Sequence, residues 1–238
     1  MNTKLLLLSN SVIPGLGYLE YAKKYFNEFF GDKIKNIAFV PFAGVTVPWD
    51  AYESKVKEVF DELGYHIFSL HKESNPVKAL DHADAIAIGG GNTFKLVHDL
   101  HKTGLMTAIR EKVLNGMPYT GWSAGSNVAC PSLRTTNDMP IIEPLSFSTI
   151  NLVPFQINPH YLDANPEGHG GETREQRIIE FLEINPDIYV VGLREGTILK
   201  VENEKVSLIG NRPARIFKKG FEPYELDSTE NFDFLMKK

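Results

Sequence analysis

The first half of the chain alternates short apolar runs with longer amphipathic stretches. Short, uninterrupted apolar runs are typical of parallel strands that are buried on both faces. The pattern predicts strands at residues 4–8, 37–43, 65–70, 85–90 and 118–123. Between them it predicts helices at residues 18–30, 49–64, 93–102 and 105–115, because apolar residues recur there at about 3.6-residue spacing.

This alternation of strands and helices predicts an α/β fold with a mostly parallel, doubly wound sheet, in which ligands bind at the carboxyl ends of the strands. After residue 145 the pattern changes to short strand-like pieces at 150–157, 188–192, 197–201, 205–209 and 214–217, with one helix at 172–184. The second half therefore predicts a β-rich C-terminal part. No repeat or linker divides the sequence, so we expect a single domain over residues 1–217 and a loosely specified tail over 218–238.

Composition and charge narrow the class of partner. The 238 residues carry a net charge of −5, whereas a nucleic-acid binder needs clustered Lys and Arg to neutralise phosphates. The four consecutive leucines near the N-terminus are too few for a signal-peptide core or a membrane span. The single cysteine, Cys130, cannot form an internal disulfide, and we expect it to be a small buried side chain. We therefore expect a cytoplasmic protein whose partner is a small molecule or a peptide, with no nucleic acid and no membrane.

A strand-turn-helix motif supplies the first candidate for chemistry. Residues 121–125 read Gly-Trp-Ser-Ala-Gly and match the G-x-S-x-G nucleophile elbow, between an apolar strand and a short predicted helix at 124–130. The two glycines allow a strained serine backbone and a close passage of the helix against the strand. The motif predicts that Ser123 is a nucleophile, and the alternative is a tight turn without a catalytic role.

A glycine-rich loop, Gly-Gly-Gly-Asn at residues 89–92, ends the predicted strand 85–90. Successive glycines let backbone N–H groups converge on an anion. We expect the N–H of Gly90 to join the N–H of Ala124 in an oxyanion hole for a tetrahedral intermediate. The alternatives are a structural turn and a phosphate or nucleotide site, although the loop lacks the Lys-Ser/Thr ending of a P-loop and the spacing of a dinucleotide fingerprint.

A serine nucleophile needs a base within hydrogen-bond reach and a third group that orients the imidazole. We prefer His160, which ends an apolar run where this fold places ligands, to His169 in a glycine-rich loop. For the orienting acid, Asp138 lies in a polar loop between the elbow and His160, and Glu195 follows the predicted strand 188–192. The residues alone leave the choice between these two carboxylates open.

Several long blocks of the sequence also resemble a known family. The blocks are LLLLSNS, FVPFAGV, IGGGNTF, GWSAGSNVACPSLRTTNDMPI, INPHY and GHGGETREQRI, and they lie within residues 4–200. They closely resemble peptidase E, the α-aspartyl dipeptidase family of serine peptidases, which has a class I glutamine amidotransferase-like α/β fold. The resemblance implies hydrolysis of dipeptides with an N-terminal aspartate through an acyl-enzyme, without a metal or a cofactor.

The resemblance also implies roles for individual residues. Ser123 would be the nucleophile, His160 the general base and Asp138 the charge-relay acid, with the N–H groups named above in the oxyanion hole. Glu195 is left as a disputed third member. An aspartyl side chain needs a cation, preferably a planar guanidinium. The candidates in the matching blocks are Arg134, Arg174 and Arg177, and a solvated or structural charge is the alternative for each.

Two other functions share part of this pattern. An α/β-hydrolase-like esterase has the same elbow and residue order, but Ser123 and His160 are too close in sequence for further βα units to intervene. A non-catalytic acidic-peptide binding protein would not need the complete set of serine, histidine and acid. His98 and His101 share a predicted helix face, but no matching cysteine or carboxylate set indicates a metal site.

Overall fold

The computed structural model describes residues 3–165, 167–168 and 170–237. The strands are β1 (Lys4–Leu8), β2 (Asn36–Val40), β3 (His66–Ser69), β4 (Ala85–Ile88), β5 (Tyr119–Trp122), β6 (Gln156–Pro159), β7 (Val190–Leu193), β8 (Ile198–Glu202), β9 (Lys205–Ile209), β10 (Ala214–Phe217) and β11 (Tyr224–Leu226). The helices are α1 (Lys23–Phe30), α2 (Trp49–Glu62), α3 (Pro76–Ala79), α4 (Thr93–Lys102), α5 (Leu105–Leu114), α6 (Ala124–Asn127) and α7 (Arg174–Ile184). None of these described helices has the length and apolar character needed to cross a membrane.

The larger of two sheets has seven strands in the order β3-β2-β4-β5-β1-β8-β9. Its first five strands are parallel, and β8 and β9 continue the sheet in antiparallel pairing. Every residue of β4 is buried, because helices cover both faces of a parallel sheet. The predicted α/β fold with a mostly parallel sheet is confirmed.

The helices give each face of the large sheet its own hydrophobic core. Helices α1 and α2 contribute buried residues to one core, and α4 and α5 contribute to the other. Leu6 and Leu8 of β1 belong to the first core and Leu5 and Leu7 to the second, because successive side chains of a strand point to opposite faces. The carboxyl ends of the parallel strands are therefore within reach of side chains from both helical layers.

The smaller sheet has four strands in the order β11-β10-β7-β6, and forms the predicted β-rich C-terminal part. Strand β6 begins at Gln156, later than the strand expected at residues 150–157. The N–H groups of Ile150 and Leu152 donate to carbonyl groups of the turn after α6. The first part of this apolar run is therefore a buried loop, because its backbone pairs with a turn and not with a strand.

Residues 218–237 pack against the rest of the domain. Strand β11 pairs with β10, the side chains of Phe232 and Leu235 are 0% and 1% exposed, and the Asp233 carboxylate accepts a hydrogen bond from the backbone of β9 at 2.8 Å. The sequence analysis expected a loosely specified tail over 218–238, and these contacts lie within the described part of it, residues 218–237. A three-residue strand and isolated apolar positions give no periodic signal that would indicate packing.

The glycines on either side of Ser123 let α6 pass close to two strands. A Cβ atom on Gly121 would lie 2.4 Å from the carbonyl oxygen of Gly125, and a Cβ atom on Gly125 would lie 2.1 Å from the carbonyl oxygen of Ile88. Both distances are far shorter than van der Waals contact. The turn therefore requires glycine at both positions, as the elbow motif predicts.

The substitution Gly125→Ala should lower the free energy of unfolding by about 3 kcal/mol, because the added methyl group overlaps the Ile88 carbonyl group. Urea denaturation measures the change. The control is Gly17→Ala, where the added methyl group would have its nearest neighbours in the Glu20 side chain at 3.8 Å, and where we expect a change within about 0.5 kcal/mol. Equal stability of the two variants would contradict the close-packing requirement.

Candidate active site

Ser123 lies at the junction of β5 and α6, at the carboxyl edge of the large sheet. Its φ of 54° is in the left-handed region, which is strained for serine. Its backbone N–H donates to the carbonyl group of Leu8, and the hydroxyl of the following Ser126 donates to the same carbonyl group. These bonds anchor the turn to β1. The residue lines a cleft of about 880 Å³, a volume within the usual range for a small-molecule site.

The imidazole of His160, directly after β6, joins Ser123 to Glu195. Its Nε2 atom is 3.0 Å from the Oγ atom of Ser123, and its Nδ1 atom is 2.7 Å from Oε1 of Glu195. The backbone of His160 also has a positive φ, 53°. A hydroxyl, an imidazole and a carboxylate in this order form the arrangement of nucleophile, base and orienting acid.

The turn that carries Glu195 follows β7 and is fixed on both sides. The N–H of Gly196 donates to Oδ1 of Asn10 at 2.9 Å. The buried guanidinium of Arg194 bonds to the carboxylates of Asp163 and Glu225. The carboxylates of Asp163 and Glu225 therefore balance the positive charge of Arg194. The Glu195 carboxylate contacts the His160 imidazole instead.

Asp138 lines the same cleft but has different partners. Its Oδ2 atom accepts hydrogen bonds from the N–H of Thr93 at 2.7 Å, from the Thr93 hydroxyl at 2.6 Å and from the Thr136 hydroxyl at 3.0 Å. Within the described residues no hydrogen bond joins Asp138 to His160. The geometry thus differs from the expectation that Asp138 orients the imidazole, because the loop that carries Asp138 is bonded to the start of α4.

The loop at residues 89–92 packs directly against the elbow. A Cβ atom on Gly90 would lie 3.0 Å from Cβ of Ser123. The Tyr52 hydroxyl donates to the Gly90 carbonyl group and accepts from Nε1 of Trp122, both at 3.0 Å. Burial raises the pKa of Tyr52, so its hydroxyl remains a donor at neutral pH. In the described part of the chain, the N–H groups of Gly90 and Ala124 have no acceptor and are available to an oxyanion.

The three candidate arginines have different environments. Arg174 is the first residue of α7 and lines the cleft with Ser123. Burial lowers the pKa of its guanidinium, the positive charge of Arg177 lowers it further, and the nearby Asp138 carboxylate acts in the opposite direction. Arg177 is 56% exposed and lies 3.7 Å from a carboxylate oxygen of Glu172. Arg134 lies over the ring of Phe147. Neither of these two arginines lines the cleft with Ser123.

The structure brings Ser123, His160, Glu195, Gly90, Ala124, Asp138 and Arg174 to one edge of the sheet, while His169 lies outside the described residues. Sequence reasoning missed Ser9, Asn10 and Tyr52. Ser9 and Asn10 directly follow β1, so the rule that polar residues after parallel strands form the site would have found them. Helix periodicity places Tyr52 on a buried face and does not show that its hydroxyl reaches another loop.

One cluster outside the cleft has the spacing of metal ligands. Donor atoms of Asp50, Glu53 and His71 lie within 4.8 Å of one another. The ammonium group of Lys72 is 3.0 Å from the Asp50 carboxylate and 2.5 Å from that of Glu53. The cluster therefore already contains a cation from the chain itself, and we interpret it as a surface charge network.

Comparison with known proteins identifies the family of this chain. The sequence model of peptidase family S51 matches residues 5–209. Peptidase E from Nostoc sp. is 53% identical over 238 residues, which cover 100% of this chain and 98% of that relative. Peptidase E from Salmonella typhimurium is 45% identical over 230 residues, which cover 96% of this chain and 100% of that relative.

A solved structure of a peptidase from an acI-B1 Actinobacterium has the same fold. Its TM-score is 0.67 at 19% sequence identity, over 98% of this chain and 97% of the other. The family match covers most of the chain, and the two curated relatives align over nearly their whole lengths. This chain therefore belongs to peptidase family S51, a family of serine peptidases.

Proposed function

We propose that this serine peptidase hydrolyses dipeptides with an N-terminal aspartate, Asp-Xaa, through an acyl-enzyme on Ser123. The proposal depends mainly on the hydrogen-bonded series from the Ser123 hydroxyl through His160 to Glu195. The guanidinium of Arg174 in the same cleft supports the preference for an acidic side chain. The resemblance to the α-aspartyl dipeptidases supports the same substrate class.

In the proposed reaction, His160 Nε2 accepts the proton of the Ser123 hydroxyl while Oγ forms a bond to the scissile carbonyl carbon. The carbonyl π electrons move to oxygen, and the N–H groups of Gly90 and Ala124 stabilise the oxyanion. When the intermediate collapses, the C–N bond breaks and the amine leaves with the proton from His160. Water then attacks the aspartyl ester, with His160 again as the base, and releases aspartate and free Ser123.

We assign Glu195 as the acid that orients His160. Its contact with Nδ1 at 2.7 Å favours the tautomer with the proton on Nδ1, which leaves Nε2 free to accept the serine proton. The charge-relay role of Asp138 has less support, because its Oδ2 atom already accepts three hydrogen bonds from two threonines. Among the described residues that line the cleft, Asp138 is the one with a carboxylate. We therefore assign Asp138 the role of binding the α-ammonium group of the substrate.

The cytoplasm remains the proposed location. The support is the single cysteine, Cys130, which is buried and unpaired, as expected for a reducing compartment. Burial raises the pKa of the Cys130 thiol, so the residue is an unreactive packing group.

Steady-state kinetics with Asp-Leu should distinguish the role of Glu195 from that of Asp138. Glu195→Gln should lower kcat by about 10³-fold, because the imidazole loses the partner that fixes its tautomer. Asp138→Asn should act mainly on KM, because it removes the partner of the substrate ammonium group. A larger loss of kcat in Asp138→Asn, at unchanged unfolding free energy, would instead support Asp138 as the charge-relay acid.

The choice of substrate tests the role of Arg174. The wild type should prefer Asp-Leu to Asn-Leu, and Arg174→Met should remove that preference by lowering kcat/KM for Asp-Leu by about 10²-fold. Arg177→Met changes the same helix outside the cleft and should keep the preference. Equal cleavage of Asp-Leu and Asn-Leu by the wild type would contradict the aspartyl specificity itself.

A further inference from the structure

Lys55 places an unpaired ammonium group in the cleft that contains Ser123. The residue is exposed, lies in α2 and lines the cleft. Its Nζ atom lies 4.3 Å from the centroid of the Tyr18 ring. No salt bridge within the described residues involves Lys55, although other lysines of this surface, such as Lys23 and Lys72, each contact two carboxylates.

The Tyr18 ring, which contacts the Lys55 ammonium group, packs against the elbow that contains Ser123. The Tyr18 ring packs edge-on against Trp122 at a centroid distance of 6.4 Å. Its hydroxyl donates to the Tyr52 hydroxyl at 3.3 Å, and Tyr52 in turn bonds to the loop that contains Gly90. Burial raises the pKa of Tyr18 well above its usual value, so the ring is neutral and offers no phenolate to Lys55. The ring therefore positions the ammonium group by a cation–π contact and leaves its N–H donors free.

Lys55 and Arg174 line the same cleft from different parts of the fold. Helix α2, which carries Lys55, packs in the core that it shares with α1. Arg174 begins α7, which packs on the small sheet, and it lies near Asp138. Ser123 lines the same cleft. A substrate with one end at Arg174 can therefore place its other end at Lys55 within this cleft.

We propose that Lys55 binds the C-terminal carboxylate of the dipeptide, which the departing amino acid carries. This inference rests on the proposed Asp-Xaa activity and adds the recognition of the second residue. Arg174 faces the aspartyl side chain, Asp138 the α-ammonium group and Lys55 the terminal carboxylate, so each charge of the zwitterionic substrate has a partner of opposite sign. In a longer or amidated peptide the group at this position is neutral, so Lys55 favours free dipeptides.

Asp-Leu and Asp-Leu amide differ only in the charge that Lys55 would bind. Lys55→Met keeps an unbranched stem over Tyr18 and removes the ammonium group. It should lower kcat/KM for Asp-Leu by about 10-fold, mainly through KM, and leave kcat/KM for Asp-Leu amide within about twofold of the wild type. Lys55→Arg should keep most of the wild-type kcat/KM for Asp-Leu, because arginine also carries a positive charge. The control Lys57→Met alters the same helix outside the cleft and should change neither substrate.

If Lys55→Met changes kcat/KM equally for Asp-Leu and Asp-Leu amide, or changes neither value, the proposed role of Lys55 is overturned. Hydrolysis of Asp-Leu by the wild type would still support the proposed function. Failure of the wild type to cleave Asp-Leu would overturn both proposals. The two failures are thus distinguishable in one set of assays. Loss confined to Asp-Leu, with recovery in Lys55→Arg, supports the terminal-carboxylate contact.

Discussion

The buried hydroxyl of Ser9 connects the two sheets, and the geometry of the candidate site depends on this contact. Ser9 directly follows β1 of the large sheet. Its hydroxyl donates to the carbonyl group of Leu193, the last residue of β7, at 2.7 Å and accepts from the N–H of His160, directly after β6, at 2.9 Å. Strand β1 is also the neighbour of β5, which Ser123 directly follows. The contact holds the residue after β6 against the strand beside the elbow, and its loss would leave buried polar groups unpaired at a cost of about 1–3 kcal/mol.

Backbone strain is present at both residues that this contact brings together. Ser123 and His160 both have positive φ values, 54° and 53°, which non-glycine residues adopt only when their surroundings compensate. The close approaches at Gly121 and Gly125 and the bonds to β1 provide that compensation at the elbow. The free energy needed to order the reacting groups is therefore supplied when the chain folds and not during the reaction. Such preorganisation is required for strong stabilisation of an oxyanion.

Much of this arrangement follows from local sequence. Buried parallel strands produce continuous apolar runs, and the elbow and the glycine loop are contiguous motifs, so the α/β fold and the position of Ser123 are visible without coordinates. The choice between Asp138 and Glu195 is not visible in the sequence, because both carboxylates lie outside the helices and strands and the pairing of Glu195 with His160 spans 35 residues of chain. The apolar loop that precedes β6 has the hydrophobicity of a strand, and only its pairing with the turn after α6 distinguishes the two. Helix periodicity likewise indicates that Tyr52 is buried but not which loop its hydroxyl contacts.

The proposed reaction depends on a covalent aspartyl intermediate on Ser123. Rapid mixing of the protein with the p-nitrophenyl ester of aspartate, followed by acid quenching and peptide mass spectrometry, tests it most directly. We expect a burst of p-nitrophenol that approaches one per chain and an aspartyl adduct on the peptide that contains Ser123, both lost in Ser123→Ala. Undiminished hydrolysis by Ser123→Ala, with no adduct on the wild-type serine, would contradict it.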